Sequence, residues 1–322
     1  MAKVTETPKI LVIGGAGFIG SHVAERYLKS GWEVAIVDNL FTGKKENIPS
    51  KAKFYPIDIL DKKKLETVFK EENPSIINHH AAQIDIRTSL KDPGFDASVN
   101  VLGTIYLLEL AVKYKLKKFI FASTGGALYG EAQQKPSVEE DPVYPFSHYA
   151  VSKFCAEQYI RLYSRLYGLS HTILRYGNVY GPRQNPQGEA GVNAIFIHAL
   201  LSKQTPTIFG DGEQIRDYVY VEDVAEANVK AASGGDGETI NIGTGETTTV
   251  NQLFSHLKEI LRFEGNARFE PKRAGEIFCS RLSVKKAEKI LGWKPSVSLG
   301  EGLKKTCLWQ KELGKKSKVD KG

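Results

Sequence analysis

The sequence predicts an α/β fold, in which a doubly wound parallel sheet carries a smaller C-terminal α/β domain. Three observations support this class. Apolar runs alternate with longer amphipathic stretches through the first half of the chain, and a glycine-rich turn joins the first run to the first stretch. Beyond residue 178 the alternation loosens into irregular segments rich in glycine and proline. Alternation of strands with helices is typical of a parallel sheet covered by helices on both faces.

Apolar runs predict the strands, and the amphipathic stretches between most of them predict the helices. The predicted strands are Lys9–Ile13, Glu33–Val37, Phe54–Pro56, Ser75–His79, Phe119–Ser123 and Thr172–Arg175. The predicted helices include Ser21–Lys29, Lys62–Glu71, Val101–Tyr114, Tyr149–Tyr167, Val250–Arg262 and Val284–Leu291. We expect residues 1–178 to form the sheet domain, with part of 210–245 returning to it. We expect 179–322 to form most of a smaller domain that closes over the C-terminal edge of the sheet, where such sheets bind ligands.

Composition and charge narrow the class of protein. The chain has 322 residues, of which 41% are hydrophobic and 25% charged, which is ordinary for a globular protein. No apolar run approaches the ~20 residues that span a bilayer, and the N-terminus has no apolar core typical of a signal peptide. The three cysteines, Cys155, Cys279 and Cys307, lack metal-ligand spacing, so we expect no metal and a reducing, cytoplasmic setting. The net charge of +7 comes without a concentrated basic stripe, so nucleic acid is not an expected partner.

The stretch LVIGGAGFIGSHVAE, from Leu11 to Glu25, contains a buried strand, three glycines at intervals of three, and a helix. Gly14, Gly17 and Gly20 leave no side chains where the backbone must turn hard. In the Rossmann-type fold, strand, glycine turn and helix bring a pyrophosphate onto a helix N-terminus. For the triplet alone, an ordinary surface turn is the alternative.

An acidic residue ends the second predicted strand. Asp38 follows Gly20 by 18 residues, near the offset at which a carboxylate hydrogen-bonds the adenosine ribose. A carboxylate there would repel a 2′-phosphate, so NAD is favoured over NADP, although Lys44 and Lys45 keep NADP open. Asp58, after the third strand, is a weaker candidate for an adenine contact. For Asp38, an ordinary surface aspartate is the alternative.

Two residues on one predicted helix indicate catalytic chemistry. In SHYAVSKFCAE, Tyr149 and Lys153 are spaced i and i+4 and share one helix face. A phenol with its usual pKa near ~10 is a poor base at neutral pH. We expect the lysine ammonium, and the positive nicotinamide ring, to lower that pKa. A pair that only packs is the alternative, but the position after the fifth βα crossover favours catalysis.

Seven motifs occur in order over nearly the whole chain. They are GGAGFIG, VDNL, HHAAQ, STGGALYGE, HYAVSK, LRYGNVYGPRQ and RDYVYVEDV. Together they resemble the extended short-chain dehydrogenase/reductase family, specifically its nucleotide-sugar epimerases. The resemblance implies an NAD-dependent isomerase that inverts C4 of a UDP-hexose through a 4-keto sugar and so interconverts UDP-glucose and UDP-galactose. It also implies a homodimer that pairs through two helices, here 101–114 and 149–167.

The resemblance implies roles for individual residues. Tyr149 removes the proton of the 4-hydroxyl while a hydride moves from C4 to NAD⁺, Thr124 hydrogen-bonds the same oxygen, and Lys153 holds the ribose and the phenolate charge. The other implied cofactor-binding residues are Gly14, Gly17, Phe18, Ile19, Gly20, Asp38, Asn39, Gly43, Asp58, Ile59, Ala81, Ala82, Gln83, Asn100, Ser123 and Tyr176. The other implied substrate-binding residues are Gly125, Gly126, Asn178, Gly191, Val192, Phe209, Arg216, Arg273 and Glu276.

The residues after Thr124 bear on the type of reaction. Related 4,6-dehydratases carry Asp and Glu in this segment, and related decarboxylases carry a carboxylate there. This chain has Gly125 and Gly126, which cannot act as acid or base. Simple oxidation and re-reduction at one carbon is therefore the reaction that the sequence favours.

The chain departs from the usual pattern of the family at a few positions. The departures are Ile13 for threonine, His80 for an apolar residue, and Ala274, Glu276 and Ser283 for proline and two aspartates of RPGD…D. We expect His80 to be a buried packing histidine rather than a catalytic one. Ser280 stands where bulky side chains exclude N-acetyl sugars, so we expect the pocket to tolerate an acetamido group.

Two other functions stay open from the sequence. The first, in the same class, is 4-epimerisation of UDP-GlcNAc or of a UDP-uronate. The second is a non-catalytic NAD-binding sensor on the same scaffold. Such proteins usually lose the tyrosine–lysine pair, which this chain keeps together with a hydroxyl partner.

Overall fold

A computed structural model describes residues 8–131, 136–186, 191–272 and 277–319 of the chain. The strands within these ranges are β1 Lys9–Ile13, β2 Glu33–Val37, β3 Lys53–Tyr55, β4 Ile76–His79, β5 Lys118–Thr124, β6 Ser170–Tyr176, β7 Asn178–Tyr180, β8 Thr207–Phe209, β9 Ile215–Arg216, β10 Tyr218–Tyr220, β11 Glu238–Ile242, β12 Thr248–Thr249 and β13 Arg268–Glu270. Seven of them form one parallel sheet in the order β11-β6-β5-β4-β1-β2-β3. The strand order reverses between β1 and β4, which creates the crevice where doubly wound sheets bind dinucleotides.

Helices cover both faces of this sheet. The helices of the described residues are α1 Phe18–Lys29, α2 Lys62–Glu72, α3 Ile86–Lys91, α4 Pro93–Ala97, α5 Gly103–Lys113, α6 Gly125–Leu128, α7 His148–Tyr167, α8 Val192–Leu201, α9 Val221–Ser233, α10 Val250–Leu261, α11 Lys285–Leu291 and α12 Leu299–Val319. Of these, α8, α10 and α12 lie outside the large sheet. A π-helical turn, Ser98–Leu102, joins α4 to α5. Ile10 and Val12 of β1 pack towards α1 and α9, whereas Leu11 and Ile13 pack towards α2, α5 and α7. Because successive strand residues point to opposite faces, one apolar run fills two cores.

The sequence-based fold class is confirmed, and the element boundaries differ from it by a few residues. Helix α1 begins at Phe18 rather than Ser21, because Gly17 of the glycine turn is itself the N-cap. The strand Glu238–Ile242 was not among the predicted strands, although it pairs with β6 along its whole length. Its sequence, ETINI, has only two aliphatic residues. Both are buried in the core that α9 also lines, and α11 packs on the strand.

A third core lies outside the large sheet. Helices α8, α10 and α12 surround it together with the short strand pairs β7–β10 and β8–β13. Its largest buried side chains include Tyr180, Phe196 and Tyr220. Helix α9 and strand β11, although late in the chain, belong to the core of the large sheet. The division of the chain into two domains at residue 178 stays a prediction.

One helical run meets the length and apolarity of a membrane span. Pro93–Lys113 has 21 residues and contains an 18-residue window with a mean hydropathy of 1.4. Asp96 and Glu109 interrupt the run, so it is not an unbroken apolar segment of the kind that the sequence excludes. Within its apolar window, 44% is buried inside the fold. The run comprises α4, the π turn and α5, and it packs against α7 and α2. Core helices of globular proteins satisfy the same two criteria.

Candidate active site

The glycine turn lies at the crevice formed by the carboxyl ends of β1 and β4. Gly14 has a φ of +79°, and a Cβ atom there would lie 2.5 Å from the backbone nitrogen of Ala81. A Cβ atom at Gly20 would overlap the carbonyl oxygen of Gly14. These close approaches let the N-terminus of α1 come directly against the strand ends, which exposes its free N–H groups to the crevice.

Asp38 links the glycine turn to the loop that follows β2. Its carboxylate accepts hydrogen bonds from the backbone N–H groups of Ala16, over 3.0 Å, and Leu40, over 2.8 Å. Burial raises its pKa above the usual value, while these hydrogen bonds act in the opposite direction. Asn39 donates to Asp58 over 2.8 Å. The structure thus brings the three predicted adenosine-side residues to one corner of the sheet.

Polar side chains behind β4 form a buried network instead of pointing at the crevice. Asn100, in the π-helical turn, exchanges two hydrogen bonds with the backbone of Gln83, over 2.8 and 2.9 Å. The Gln83 side chain donates to Ser89, which donates to Asp96 over 2.6 Å. Asn100 also donates to Ser152 of α7 over 3.0 Å. This network fixes the conformation of the loop at Ala81–Gln83. Asn100 contributes by holding the backbone of Gln83 in place.

Helix α7 carries the tyrosine and the lysine, and Ser147 caps its N-terminus by accepting from the N–H of Ala150. One helical turn separates Tyr149 from Lys153. The ammonium of Lys153 lies 4.0 Å from the ring centroid of Phe121 in β5. Lys153 therefore faces β5, the strand that ends at Thr124.

The electrostatics of this pair differ from the expectation. Burial, and then the Asp96 carboxylate, raises the pKa of Tyr149 above its usual value. Burial lowers the pKa of Lys153 to about 7, against the opposing charges of Glu157 and Asp96. Among the chain's own residues, burial and Asp96 thus raise the pKa of Tyr149 instead of lowering it. That Lys153 and the nicotinamide ring favour the phenolate stays a prediction.

The two hydroxyl side chains at the end of β5, Ser123 and Thr124, have different surroundings. Thr124 is the last residue of β5 and is half-buried. The Ser123 hydroxyl is buried and donates to Glu157 over 2.6 Å. The hydroxyl of Ser123 is thus engaged with α7, and its assignment to the cofactor stays a prediction.

The two glycines after Thr124 differ in the space around them. A Cβ at Gly125 would lie 2.6 Å from a methyl carbon of Leu282, so this glycine allows close packing. A Cβ at Gly126 would meet only Asn178 Oδ1 at 3.4 Å and Ser280 Oγ at 3.9 Å. Asn178 Oδ1 is buried and has no hydrogen-bond partner among the described residues. These three positions form a small polar wall beside Thr124.

Asp217 connects the segments that carry the predicted substrate residues. Its buried carboxylate accepts from the backbone N–H groups of Thr244, Gly245 and Leu282 and from the Thr244 hydroxyl, over 2.6 to 3.2 Å. Its carbonyl accepts from the N–H of Asn178 over 2.7 Å. Arg216, the preceding residue, donates to the carbonyl of Phe278 over 3.2 Å. Asp217 therefore ties together β6–β7, β9 and the segment near Ser280.

The predicted nucleotide-side residues lie around the start of α8. Gly191 is the N-cap of this helix and Val192 its first residue, while Phe209 ends β8. Gln184 and Asn193 are near, each with a buried side-chain oxygen that has no partner among the described residues. Arg273 and Glu276 lie outside the described residues. Among those residues, no group of three or more His, Cys, Asp or Glu side chains could hold a metal ion.

Sequence reasoning missed Glu157, Arg175 and Asp217. Glu157 follows Lys153 by one helical turn, and this spacing could have indicated that it shares the inner face of α7. No comparable pattern indicated that Arg175 in LRYGN and Asp217 in RDYVYV are buried. A charged residue in an apolar run is unusual, but it does not by itself indicate a buried ion pair or hydrogen-bond network.

Comparison with known proteins places the chain in one protein family. The model of the NAD dependent epimerase/dehydratase family matches residues 10–243. UDP-glucose 4-epimerase of Mycolicibacterium smegmatis is 42% identical, over 92% of this chain and 97% of the relative.

Two solved structures are similar over nearly the whole chain. UDP-glucose 4-epimerase of Thermotoga maritima, solved with UDP-glucose, is 48% identical with a TM-score of 0.93, covering 95% of this chain and 99% of that one. UDP-glucose 4-epimerase of Thermus thermophilus, solved with NAD, is 43% identical with a TM-score of 0.90, covering 94% and 99%.

Proposed function

Because the chain belongs to the NAD dependent epimerase/dehydratase family, we propose that it is an NAD-dependent isomerase that interconverts UDP-glucose and UDP-galactose at C4. The proposal is supported by the positions of its catalytic residues: Tyr149 and Lys153 lie one turn apart on α7, which packs on β5, and Thr124 ends β5. Two glycines, which lack acid–base groups, follow Thr124. Sequence relatives and structural neighbours named UDP-glucose 4-epimerase support it.

The residues at the crevice fit NAD. The glycine turn has no room for side chains at Gly14 and Gly20, so the N–H groups of α1 are accessible to a pyrophosphate. The Asp38 carboxylate lies at the end of β2, where it can accept hydrogen bonds from the ribose hydroxyls and repel a 2′-phosphate. We assign Gly14, Gly17, Gly20 and Asp38 to the adenosine diphosphate half, and Tyr176 and Lys153 to the nicotinamide half.

Bound NAD⁺ supplies a hydride acceptor and a positively charged ring. In our proposal, Tyr149 takes the proton of the 4-hydroxyl and later returns it. Thr124 donates a hydrogen bond to the same sugar oxygen, which holds the C4 oxygen within reach of the phenol. A correctly placed proton acceptor contributes roughly 10²–10⁴-fold to the rate.

Lys153 has an electrostatic task in this proposal. Because burial raises the pKa of Tyr149, the phenolate needs cationic neighbours before it can act near neutral pH. The Lys153 ammonium is one of them, and burial has lowered its own pKa to about 7. The protonation state of Lys153 therefore changes within the pH range in which the enzyme would work.

The UDP moiety is assigned to the opposite side of the crevice. Arginine presents a fork of donors that matches a pyrophosphate, so Arg216 is our diphosphate ligand, together with Arg273 from outside the described residues. Asn178 has a buried oxygen available to a donor on the ligand. Backbone groups at Gly191 and Val192, with Phe209, frame the base in this proposal.

A second substrate, UDP-GlcNAc, is favoured by one observation. Ser280 is small and buried, and its Oγ lies 3.9 Å from the point that a Cβ of Gly126 would occupy. Two of the three residues in the wall beside Thr124, Gly126 and Ser280, are thus small, which leaves room for an acetamido group at C2. We propose that this sugar is accepted besides UDP-glucose.

We further propose a homodimer in the cytoplasm. Helix α7 exposes several apolar side chains although it packs on the sheet with its other face. They are Val151, Leu162, Leu166 and Tyr167, each at least 38% exposed. The helix pairing that the resemblance to the epimerases implies would cover them. Three free thiols, at Cys155, Cys279 and Cys307, support a reducing compartment.

Product analysis tests the proposed function. The purified protein is incubated separately with UDP-Gal, UDP-GalNAc and UDP-GalA, and the products are resolved by chromatography. We expect UDP-Glc from UDP-Gal, and loss of at least ~100-fold in kcat for Tyr149→Phe with NAD still bound. Retained activity in Tyr149→Phe would remove the proposed base. Bound NAD without conversion of any of the three sugars would support the sensor function instead.

A further inference from the structure

Glu157 is the centre of a buried charged cluster one helical turn beyond Lys153. Its side chain is 0% exposed, and that of Arg175 is 3% exposed. Arg175 forms a two-pronged ion pair with it, from Nε to Oε1 over 2.9 Å and from Nη2 to Oε2 over 2.7 Å. Arg161, one turn further along α7, adds a third contact over 3.1 Å. A buried carboxylate with this many donors is held in one position.

The cluster reaches the strand end that carries the catalytic hydroxyl. Ser123 donates to Glu157 Oε1 over 2.6 Å and directly precedes Thr124. Arg175 also donates to the hydroxyl of Tyr129 over 2.8 Å, and Tyr129 donates to Asn241 of β11 over 2.8 Å. The carboxylate of Glu157 therefore connects α7 to the ends of β5, β6 and β11, just below the proposed site.

We propose that Glu157 is a positioning residue for the reaction: through Ser123 it holds Thr124 in place, and its buried carboxylate, one helical turn from Lys153, provides a negative charge beside that lysine. This inference rests on the proposed function, since it assigns Glu157 to the same tyrosine–lysine–threonine site. It does not place Glu157 in contact with the substrate.

The surroundings of Lys153 show why this counter-charge matters. Lys153 interacts with the charged or titratable groups of Asp96 from α4, Glu157 on α7, His79 at the end of β4 and His80 directly after it, and it lies over the ring of Phe121 in β5. Burial lowers the pKa of His80 to about 3 and that of His79 well below its usual value, so both rings are neutral. Glu157 and Asp96 are the acidic groups that oppose the burial of the lysine, and Glu157 has the larger effect.

The first test replaces Glu157 by glutamine, which keeps the shape and removes the charge. We expect the pKa of Lys153 to fall, so that the alkaline limb of the kcat–pH profile moves to lower pH. Each unit of that shift costs about tenfold in the ammonium fraction above the pKa. With a wild-type pKa of about 7, a fall of one unit makes the loss of kcat about threefold greater at pH 8.5 than at pH 6.5. Glu157→Asp, which keeps the charge, should leave the position of the limb unchanged.

A second variant and a matched control separate this effect from a loss of stability. Glu157→Gln leaves the Arg175 guanidinium without its counter-charge, so Glu157→Gln/Arg175→Gln is made in parallel. Because removal of the Arg175 cation opposes removal of the carboxylate, the double variant should show a smaller shift of the alkaline limb than Glu157→Gln. Glu72 is also a buried carboxylate, paired with Lys9 and Lys53 near the amino end of β1. Glu72→Gln should lower the unfolding temperature without moving the pH profile.

The third measurement does not depend on turnover. The Nζ resonance of Lys153 is titrated in ¹⁵N-lysine-labelled holoenzyme and assigned with Lys153→Met. We expect its titration midpoint to lie lower in Glu157→Gln than in the wild type. An unchanged midpoint, or a loss of kcat that is equal at every pH, would overturn the inference. A wild type without epimerase activity would refute the proposed function, and the titration would still decide the role of Glu157.

Discussion

His80 stacks on Tyr176, with ring centroids 6.4 Å apart and ring planes at 18°. The hydroxyl of Tyr176 is hydrogen-bonded to Asn228, over 2.8 and 3.1 Å, so the tyrosine ring cannot turn away. Both ring nitrogens of His80 are buried and have no hydrogen-bond partner among the described residues. The imidazole therefore packs as a flat apolar group between the end of β4 and the end of β6.

This packing predicts an acid-sensitive contribution to stability. Burial, and then the charge of Lys153, lowers the pKa of His80 to about 3. The unfolded chain binds a proton there below about pH 6.5, and the folded chain does not, so the free energy of unfolding falls as the pH drops from 6.5 towards 3. Between pH 7 and pH 5, the free energy of unfolding of His80→Phe should therefore fall by about 2 kcal/mol less than that of the wild type. Urea unfolding at the two pH values measures this.

The control for His80→Phe is an exposed histidine, His256 on α10. His256→Phe should leave the difference in stability between pH 7 and pH 5 unchanged. His22 and His171, whose pKa values burial lowers to about 4, remain in both variants and contribute equally. An unchanged pH dependence in His80→Phe would contradict the neutral packing role.

The glycine turn predicts a sharp difference between two glycine substitutions. A Cβ at Gly20 would overlap the Gly14 carbonyl, so Gly20→Ala must displace the turn at a cost of about 1–3 kcal/mol. We expect less NAD per chain after purification and a lower unfolding temperature. Gly314, in α12, has open space around its Cβ position, so Gly314→Ala should be neutral or gain about 0.5–1 kcal/mol. Released NAD is measured by absorbance. Full NAD content in Gly20→Ala would argue against binding of the NAD pyrophosphate at the glycine turn.

The fold could be predicted because its signals are local. The run Ile10–Ile13 is apolar throughout since both faces of β1 are covered, and the glycines follow it at once. The polar networks could not be predicted, because their partners are distant along the chain. Ser123 and Glu157 are 34 residues apart, and Asn78 and Asn228 are 150 apart. Their pairing depends on how helices pack across the sheet, which no local pattern specifies.

The same reason applies to the pKa of Tyr149. The i, i+4 spacing with Lys153 correctly indicates that the two side chains share a helix face. The pKa of each depends on burial, which arises from α4, β4 and β5 and not from α7. Spacing predicts which groups are neighbours, and tertiary packing decides their charge.

Ser280 predicts a change in substrate preference. Ser280 is 5% exposed, and its hydroxyl lies 3.4 Å from the carbonyl of Gly126. A tyrosine there must extend into the space beside Thr124. We expect Ser280→Tyr to lose at least about tenfold in kcat/KM for UDP-GlcNAc, with UDP-glucose affected by no more than a few-fold. Ser280→Ala, which adds no volume, is the control. Equal effects on both sugars would show that Ser280 does not line the C2 side.

The exposed face of α7 predicts a dimer that a single charge disrupts. Leu166 is 62% exposed and Leu162, one turn earlier, is 38% exposed, although α7 is otherwise anchored on the sheet. If two copies pair through α5 and α7, Leu166→Glu buries a carboxylate in an apolar seam, and the dimer should dissociate at micromolar concentration. Leu308, on α12, is 60% exposed and distant from α7 along the chain, so Leu308→Glu should not change the mass. Size-exclusion chromatography with light scattering measures both. A wild type that is monomeric, or a Leu166→Glu variant that stays dimeric, would place the interface elsewhere or exclude it.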